Sequence, residues 1–195
     1  MKKNIFIICI LLIFNNFISC KYKEDFLLSK DYKCISLKAT KQIKPYDCGL
    51  ACLASIIKYW GEEIDLPSLI RLFPPKWSNE AYTIDELKSI ADLYQFKSFI
   101  MKADYPFIIE QITLGRPIIC LIDKKSSFIK GIKLKFQNND INNNNLNEHI
   151  GHYVVVIGYS RQNLVVMDPA LGIITISKNN FLKQWKNNIL LLISK

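Results

Sequence analysis

The stretch QIKPYDCGLACLASIIKYWG, Gln42 to Gly61, sets Cys48 behind an aspartate at the head of an apolar run. A cysteine at a helix start meets unpaired backbone N–H groups and the positive end of the helix dipole, both of which favour a negative charge. The thiolate is the nucleophilic form, so this position suits covalent attack on a carbonyl carbon. Cys52 lies one turn further into the same apolar run and is expected to be an inert packing thiol.

A nucleophilic thiol needs a base, and the base needs a group to orient it. Only two histidines occur, His149 and His152. His152 opens GHYVVVIGY, the most apolar strand-like run, and Asp168 ends the next one, in VVMDPALG. With only the short turn SRQN between them, these runs pair antiparallel, which brings His152 near Asp168. Gln42, upstream of the helix, could point its amide N–H₂ at the developing oxyanion. The predicted catalytic set is therefore Cys48, His152, Asp168 and Gln42.

Rival readings use the same residues. Cys48 and Cys52 at i, i+4 with His149 and His152 at i, i+3 supply four candidate zinc ligands. Against zinc, Cys52 belongs to the buried side of an apolar helix, His149 sits in a polar loop, and Gln42 and Asp168 are left without a role. No metal and no cofactor is expected. Taken singly, Asp168 before Pro169 reads as a turn former, Gln42 as a surface residue and His152 as a satisfied core histidine. Together those readings describe a non-catalytic module that holds peptides, which is the alternative to an enzyme.

The elements that must position these residues follow from periodicity. Ala51, Leu53, Ala54, Ile56, Ile57 and Trp60 leave little polar face, predicting a buried helix from Cys48 to Trp60, capped by Asp47 at its start and Gly61 at its end. Further helices are expected over Pro67–Phe73, over TIDELKSIADLY with Thr83 and Glu86 in capping-box spacing, and over Tyr105–Leu114. The second half changes period: Arg116–Ile122, His152–Tyr159, Asn163–Asp168, Gly172–Ser177 and Asn188–Ser194 are β-rich runs, with a helical KNNFLKQW before the last. Helices followed by hairpin-linked strands predict an α+β fold, N-terminal helices on a C-terminal antiparallel sheet. Residues 21–40 read as a polar lead-in, and QNNDINNNNLN, near 137–147, as an Asn-rich surface loop.

The 195 residues carry 50% hydrophobic and 22% charged side chains, a globular balance. The first twenty residues differ in kind: Lys2 and Lys3, an apolar run from Ile5 to Phe14, then FISC ending at Cys20. This is a secretory signal pattern, and FISC resembles a bacterial lipobox, which implies a lipid on Cys20. An uncleaved anchor is the alternative, for which the run falls short of the ~20 residues a span needs. The expected location is thus outside the cytoplasm, membrane-anchored in a bacterial envelope. The net charge of +9 comes from scattered lysines with no basic block alternating with aromatics, so no nucleic-acid partner is expected. Of six cysteines, Cys34 and Cys120 could pair in an oxidising compartment, or remain buried thiols.

As a set, Gln42, DCGLACLASIIKYWG from Asp47, GHYVVVIGY from Gly151, MDPALG from Met167 and FLKQWKNNILLLI from Phe181 resemble the papain-like double-glycine peptidases, the bacteriocin-processing peptidase domain of certain ABC exporters. The resemblance covers residues 41–195 and implies a papain-like cysteine peptidase fold. It implies Cys48 as nucleophile, His152 as general base and acid, Asp168 as orienter and Gln42 as oxyanion donor. It implies a peptide or protein substrate with small residues, Gly-Gly among them, before the cut, and a separate ABC exporter as partner. The family's best-known members are fused to membrane and ATPase domains, whereas no Gly-rich phosphate loop occurs in this sequence. The expectation is a standalone form that neither transports nor hydrolyses ATP by itself. The family also contains degenerate domains that lack the cysteine, which this chain retains.

Overall fold

The computed structural model describes residues 32–76, 80–125 and 149–195; the expected signal at 1–20, with Cys9 and Cys20, and the Asn-rich loop near 137–147 lie outside the described residues. The folded unit runs from Lys33 to Lys195. In chain order its elements are β1 (Lys33–Cys34), α1 (Cys48–Tyr59), α2 (Leu66–Leu72), α3 (Ile84–Leu93), β2 (Lys97–Lys102), α4 (Tyr105–Thr113), β3 (Ile118–Lys125), β4 (His149–Tyr159), β5 (Asn163–Asp168), β6 (Gly172–Ser177), α5 (Lys178–Gln184) and β7 (Trp185–Ser194). The strands form one antiparallel sheet in the order β2-β7-β3-β4-β5-β6, with β1 pairing the far end of β4. This is the α+β arrangement that the change of period predicted, with two strands added.

The additions are β1 and β2. Residues 33–40, read as lead-in, belong to the folded unit: Lys33 and Cys34 pair with Tyr159 and Gly158, and Ile35 and Leu37 are buried. Four apolar side chains scattered among lysines carry too weak a period to show this. β2, KSFIMK, is an edge strand on β7, flanked by lysines and with Phe99 turned to solvent, so its alternation is diluted by the charges that protect an open edge.

α1 is buried from Cys48 to Ile57, as a helix without a polar face must be. Glycine at its second position lets it lie close to its neighbours: a Cβ on Gly49 would come within 2.9 Å of Leu87 on α3 and of Tyr153 on β4. At its other end Gly61, at φ +93°, donates its N–H to the Lys58 carbonyl while the Glu62 N–H reaches Ile57. That pair of bonds is the left-handed helix stop expected of a glycine there. Thr83 and Glu86 form the capping box at the start of α3.

The β4–β5 hairpin closes through Ser160, whose N–H donates to the Asn163 carbonyl at 2.8 Å. Tyr159 and Gly158 face Leu164 and Val165, yet Val156 and Val155 face Val166 and Met167, so Ile157 is an extra residue on β4. This bulge decides the site. Continued without it, the register would set Asp168 opposite Val155 and in phase with Tyr153. With it, Asp168 falls opposite Val154 and in phase with His152, because a one-residue slip exchanges the two faces of a strand.

Candidate active site

Cys48 is the first helical residue of α1 and is 2% exposed. Asp47, expected to cap the helix through its side chain, does not. Its backbone, at φ −85° and ψ 4°, is not in the extended conformation from which a capping carboxylate reaches the first turn. The carboxylate turns back instead and accepts the Lys44 N–H at 2.9 Å, closing the preceding turn, and burial raises its pKa. No Asp47 side-chain oxygen therefore caps the N–H groups of the helix start, where Cys48 sits.

His152, 6% exposed, stands between two partners. Its Nε2 lies 3.0 Å from Asp168 Oδ1, and its ring hydrogen-bonds the Cys48 thiol, which the remaining nitrogen, Nδ1, must face. Burial works against the imidazolium, but the Asp168 and Cys48 hydrogen bonds outweigh it and hold the His152 pKa above 6.5.

Asp168 is wholly buried at the end of β5. Its Oδ1 also accepts the Ala170 N–H at 2.9 Å and the Leu171 N–H at 3.4 Å. Burial alone would raise its pKa; the His152 hydrogen bond and the positive charges of His152 and Lys124 hold it well below the usual carboxylate range. Its second oxygen, Oδ2, receives the Lys124 ammonium.

Gln42 is buried and tied to the same corner, its backbone N–H donating to the Pro169 carbonyl at 3.0 Å. Its side-chain amide donates to the Lys44 carbonyl at 3.0 Å, which uses one of its two N–H bonds. Gln42 Oε1 is buried without a partner. Lys44 therefore braces both flanking residues, its N–H on Asp47 and its carbonyl on Gln42.

The structure brings Cys48, His152 and Asp168 into one chain of contacts and sets Gln42 on the adjoining turn. It places Cys52 apart from that chemistry: fully buried, with a pKa raised well above 9.0 by desolvation. Cys120 is likewise pushed up by burial, and Cys34, Cys48, Cys52 and Cys120 are free thiols. The backbone of His149 begins β4, opposite Lys125, and so belongs to a strand where a polar loop was expected. Among the described residues no group of three or more His, Cys, Asp or Glu could hold a metal ion, and no helix is long and apolar enough to cross a membrane.

Lys124 is the residue that sequence reasoning missed. A signal for it existed: in IICLIDKK the phase that buries Ile118, Cys120 and Ile122 continues onto Lys124. A lysine on the buried phase of a strand needs a counter-ion, and Asp168 supplies it.

Comparison with solved structures gives the same fold. The peptidase domain of Streptococcus ComA, a bi-functional ABC transporter of a quorum-sensing pathway, aligns at a TM-score of 0.59 and 24% identity, covering 80% of this chain and 97% of that one. A double glycine motif protease from an AMS/PCAT transporter, solved with its leader peptide, aligns at 0.57 and 16% identity, covering 83% and 93%. Among curated proteins, the lacticin-481/lactococcin-DR transport/processing ATP-binding protein of Lactococcus lactis is 25% identical over 80% of this chain. The sublancin-168-processing and transport ATP-binding protein SunT of Bacillus subtilis is 30% identical over 77% of it. The chain spans only 19% and 18% of those two proteins. Residues 31–189, nearly all of the folded unit, match the Peptidase_C39 like family, and the chain belongs to that family of cysteine peptidases.

Proposed function

We propose that this chain hydrolyses peptide bonds with Cys48 as nucleophile, His152 as general base and acid, Asp168 as the group that orients the ring, and Gln42 as oxyanion donor. One observation carries the reading: an imidazole held between a buried carboxylate and a thiol that begins a helix. The Cys48 sulfur attacks the peptide carbonyl, forming a C–S bond, and the carbonyl oxygen takes the negative charge. The second N–H of the Gln42 amide and the N–H groups of the helix start receive that charge. His152 then passes its proton to the leaving nitrogen as the C–N bond breaks, leaving a thioester. Water, losing a proton to the now neutral ring, adds to the thioester carbon as the C–S bond breaks, which releases the acid and restores the Cys48 thiolate beside the protonated ring.

For the substrate, we take a leader peptide cut after Gly-Gly or other small residues, since the aligned AMS/PCAT protease is a double glycine motif protease and the curated relatives are processing and transport proteins. A separate ABC exporter is the partner this reading implies. The N-terminal FISC supports export and a tether through a lipid on Cys20, which would set the domain against an anionic membrane surface suited to the +7 charge left once Lys2 and Lys3 go with the signal (24 − 17). The test is a thiol-reactive peptide ending in Gly-Gly, followed by mapping of the modified residue. Labelling confined to Cys48, and cleavage of a Gly-Gly leader lost in Cys48→Ala, supports the reading. Tight binding of the same leader with no cleavage and no labelling would leave the non-catalytic peptide-holding module instead.

A further inference from the structure

We infer that Lys124 is a positioning residue for the reaction proposed above: its ammonium, docked on the second oxygen of Asp168, keeps that buried carboxylate ionised while the His152 ring is neutral. The inference rests on the peptidase reading, because only a reaction cycle requires the ring to lose and regain a proton. While the ring carries its proton, imidazolium and carboxylate compensate each other. After His152 has protonated the leaving amine the ring is neutral, and it must stay neutral until water gives it a proton. During that interval Asp168, with no exposed surface, has two backbone N–H groups, the neutral ring and Lys124 as partners. A carboxylate in that position without a counter-charge would hold the proton on the ring or take one itself, since an uncompensated buried charge is strongly disfavoured. Either outcome removes the base that the thioester step needs.

The geometry suits this division of the carboxylate. Ile122 on β3 faces His152 on β4, so Lys124, two residues along β3, lies in the same phase. Lys124 reaches Oδ2 while His152, Ala170 and Leu171 share Oδ1, so each charge partner has its own oxygen and the carboxylate plane is fixed from both sides. Among the described residues, the titratable groups that act on the pair include Cys48 and Cys52 on α1 and His152 on β4, with Cys120 of β3 acting on Cys52, whereas Asp85 and Glu86 of α3 act on Tyr153. Asp168 is thus the acid that answers the lysine. Burial pulls the Lys124 pKa down, and the charge and hydrogen bond of Asp168 oppose that fall.

The experiment follows the ring titration of His152 by histidine NMR in the full chain carrying Cys48→Ala, which removes the thiol from the coupled set. Only His149 shares the spectrum, and His149→Gln assigns it. Lys124→Gln keeps a donor for Oδ2 and deletes the charge. The His152 pKa should rise by about one unit, the scale of one full charge across a few ångströms of partly screened space. Lys124→Arg should titrate with the parent. An unmoved His152 in a folded Lys124→Gln chain overturns the proposal. Without any change at Lys124, the Asp168 carboxyl carbon shift should stay at its ionised position as His152 deprotonates, and proton uptake by Asp168 over that range also overturns it. Alkylation of Cys48 in the unsubstituted chain separates the two readings: an unreactive Cys48 with a shifted His152 would refute the reaction and leave the charge relation standing.

Discussion

Replacing Asp168 by asparagine removes a full negative charge from His152 while leaving an amide of nearly the same shape at 3.0 Å from Nε2. A hydrogen bond to a charged group contributes about 1.5–3 kcal/mol, which is roughly one to two pKa units. Because the lost group stabilises the imidazolium, the His152 pKa must fall from its raised position. Lys124, left without its counter-ion, pushes in the same direction. Each unit of fall reduces the imidazolium population about tenfold at any pH above both values, so there the imidazolium that faces Cys48 should drop ~10- to 100-fold. The assay is the ring titration of His152 by NMR, read beside the rate of Cys48 alkylation at pH 7. A His152 that titrates at or above its parent value would refute the electrostatic reasoning. Stability supplies a second readout with a defined sign. The depressed pKa of Asp168 contributes stability above its ordinary 3.8 that is lost as the pH falls below it. Asp168→Asn should lose about 3–5 kcal/mol at neutral pH, the range for one partner removed from a buried pair, and should lack that acid-dependent slope.

Three further outcomes follow from the same structure. Gln42→Ala should lower kcat by about 10²- to 10³-fold with little change in KM, and should leave His152 titrating as before, measured in steady-state kinetics and by NMR. Gly158→Ala should destabilise the fold by about 1–3 kcal/mol in thermal or denaturant unfolding, because its Cβ would meet the Lys33 carbonyl oxygen at 2.8 Å, backbone against backbone beside the β4 bulge. Cys20→Ser should stop signal processing and lipid labelling in cells, and a mature wild-type protein beginning at Met1 would contradict the tether.

The helices were legible because each carries a strong period or a cap: the apolar run of α1, the Thr83–Glu86 box of α3, and the Gly61 stop all lie where the residues point. The hairpin joining β4 to β5 was legible from its short turn, and so was the meeting of His152 with Asp168. The device that makes them meet was not. An ordinary antiparallel register would turn Asp168 toward the phase of Tyr153, and nothing in YVVVIGY marks Ile157 as the extra residue. Gly158 is its one trace, and it reflects the close passage of Lys33 in β1, an element too short to have a period. Asp47 misled for a related reason: a residue type favoured at helix starts has two sets of N–H donors in reach, and here the Lys44 turn, not the helix, takes its carboxylate. Lys124 was hidden because lysine at a strand end reads as surface until the phase of Cys120 and Ile122 is followed one step further.

The central claim, that Cys48 and not its neighbour one turn away is the nucleophile, is tested most directly by alkylating the native protein with iodoacetamide at neutral pH and locating the modified cysteines by mass spectrometry. Rapid modification of Cys48 is expected, slowed when His152 is replaced by alanine, with Cys52 and Cys120 untouched until the fold is lost, since both thiols are buried and their pKa values are raised. Equal modification of Cys48 and Cys52 in the folded chain, or a Cys48 rate indifferent to His152, would contradict it.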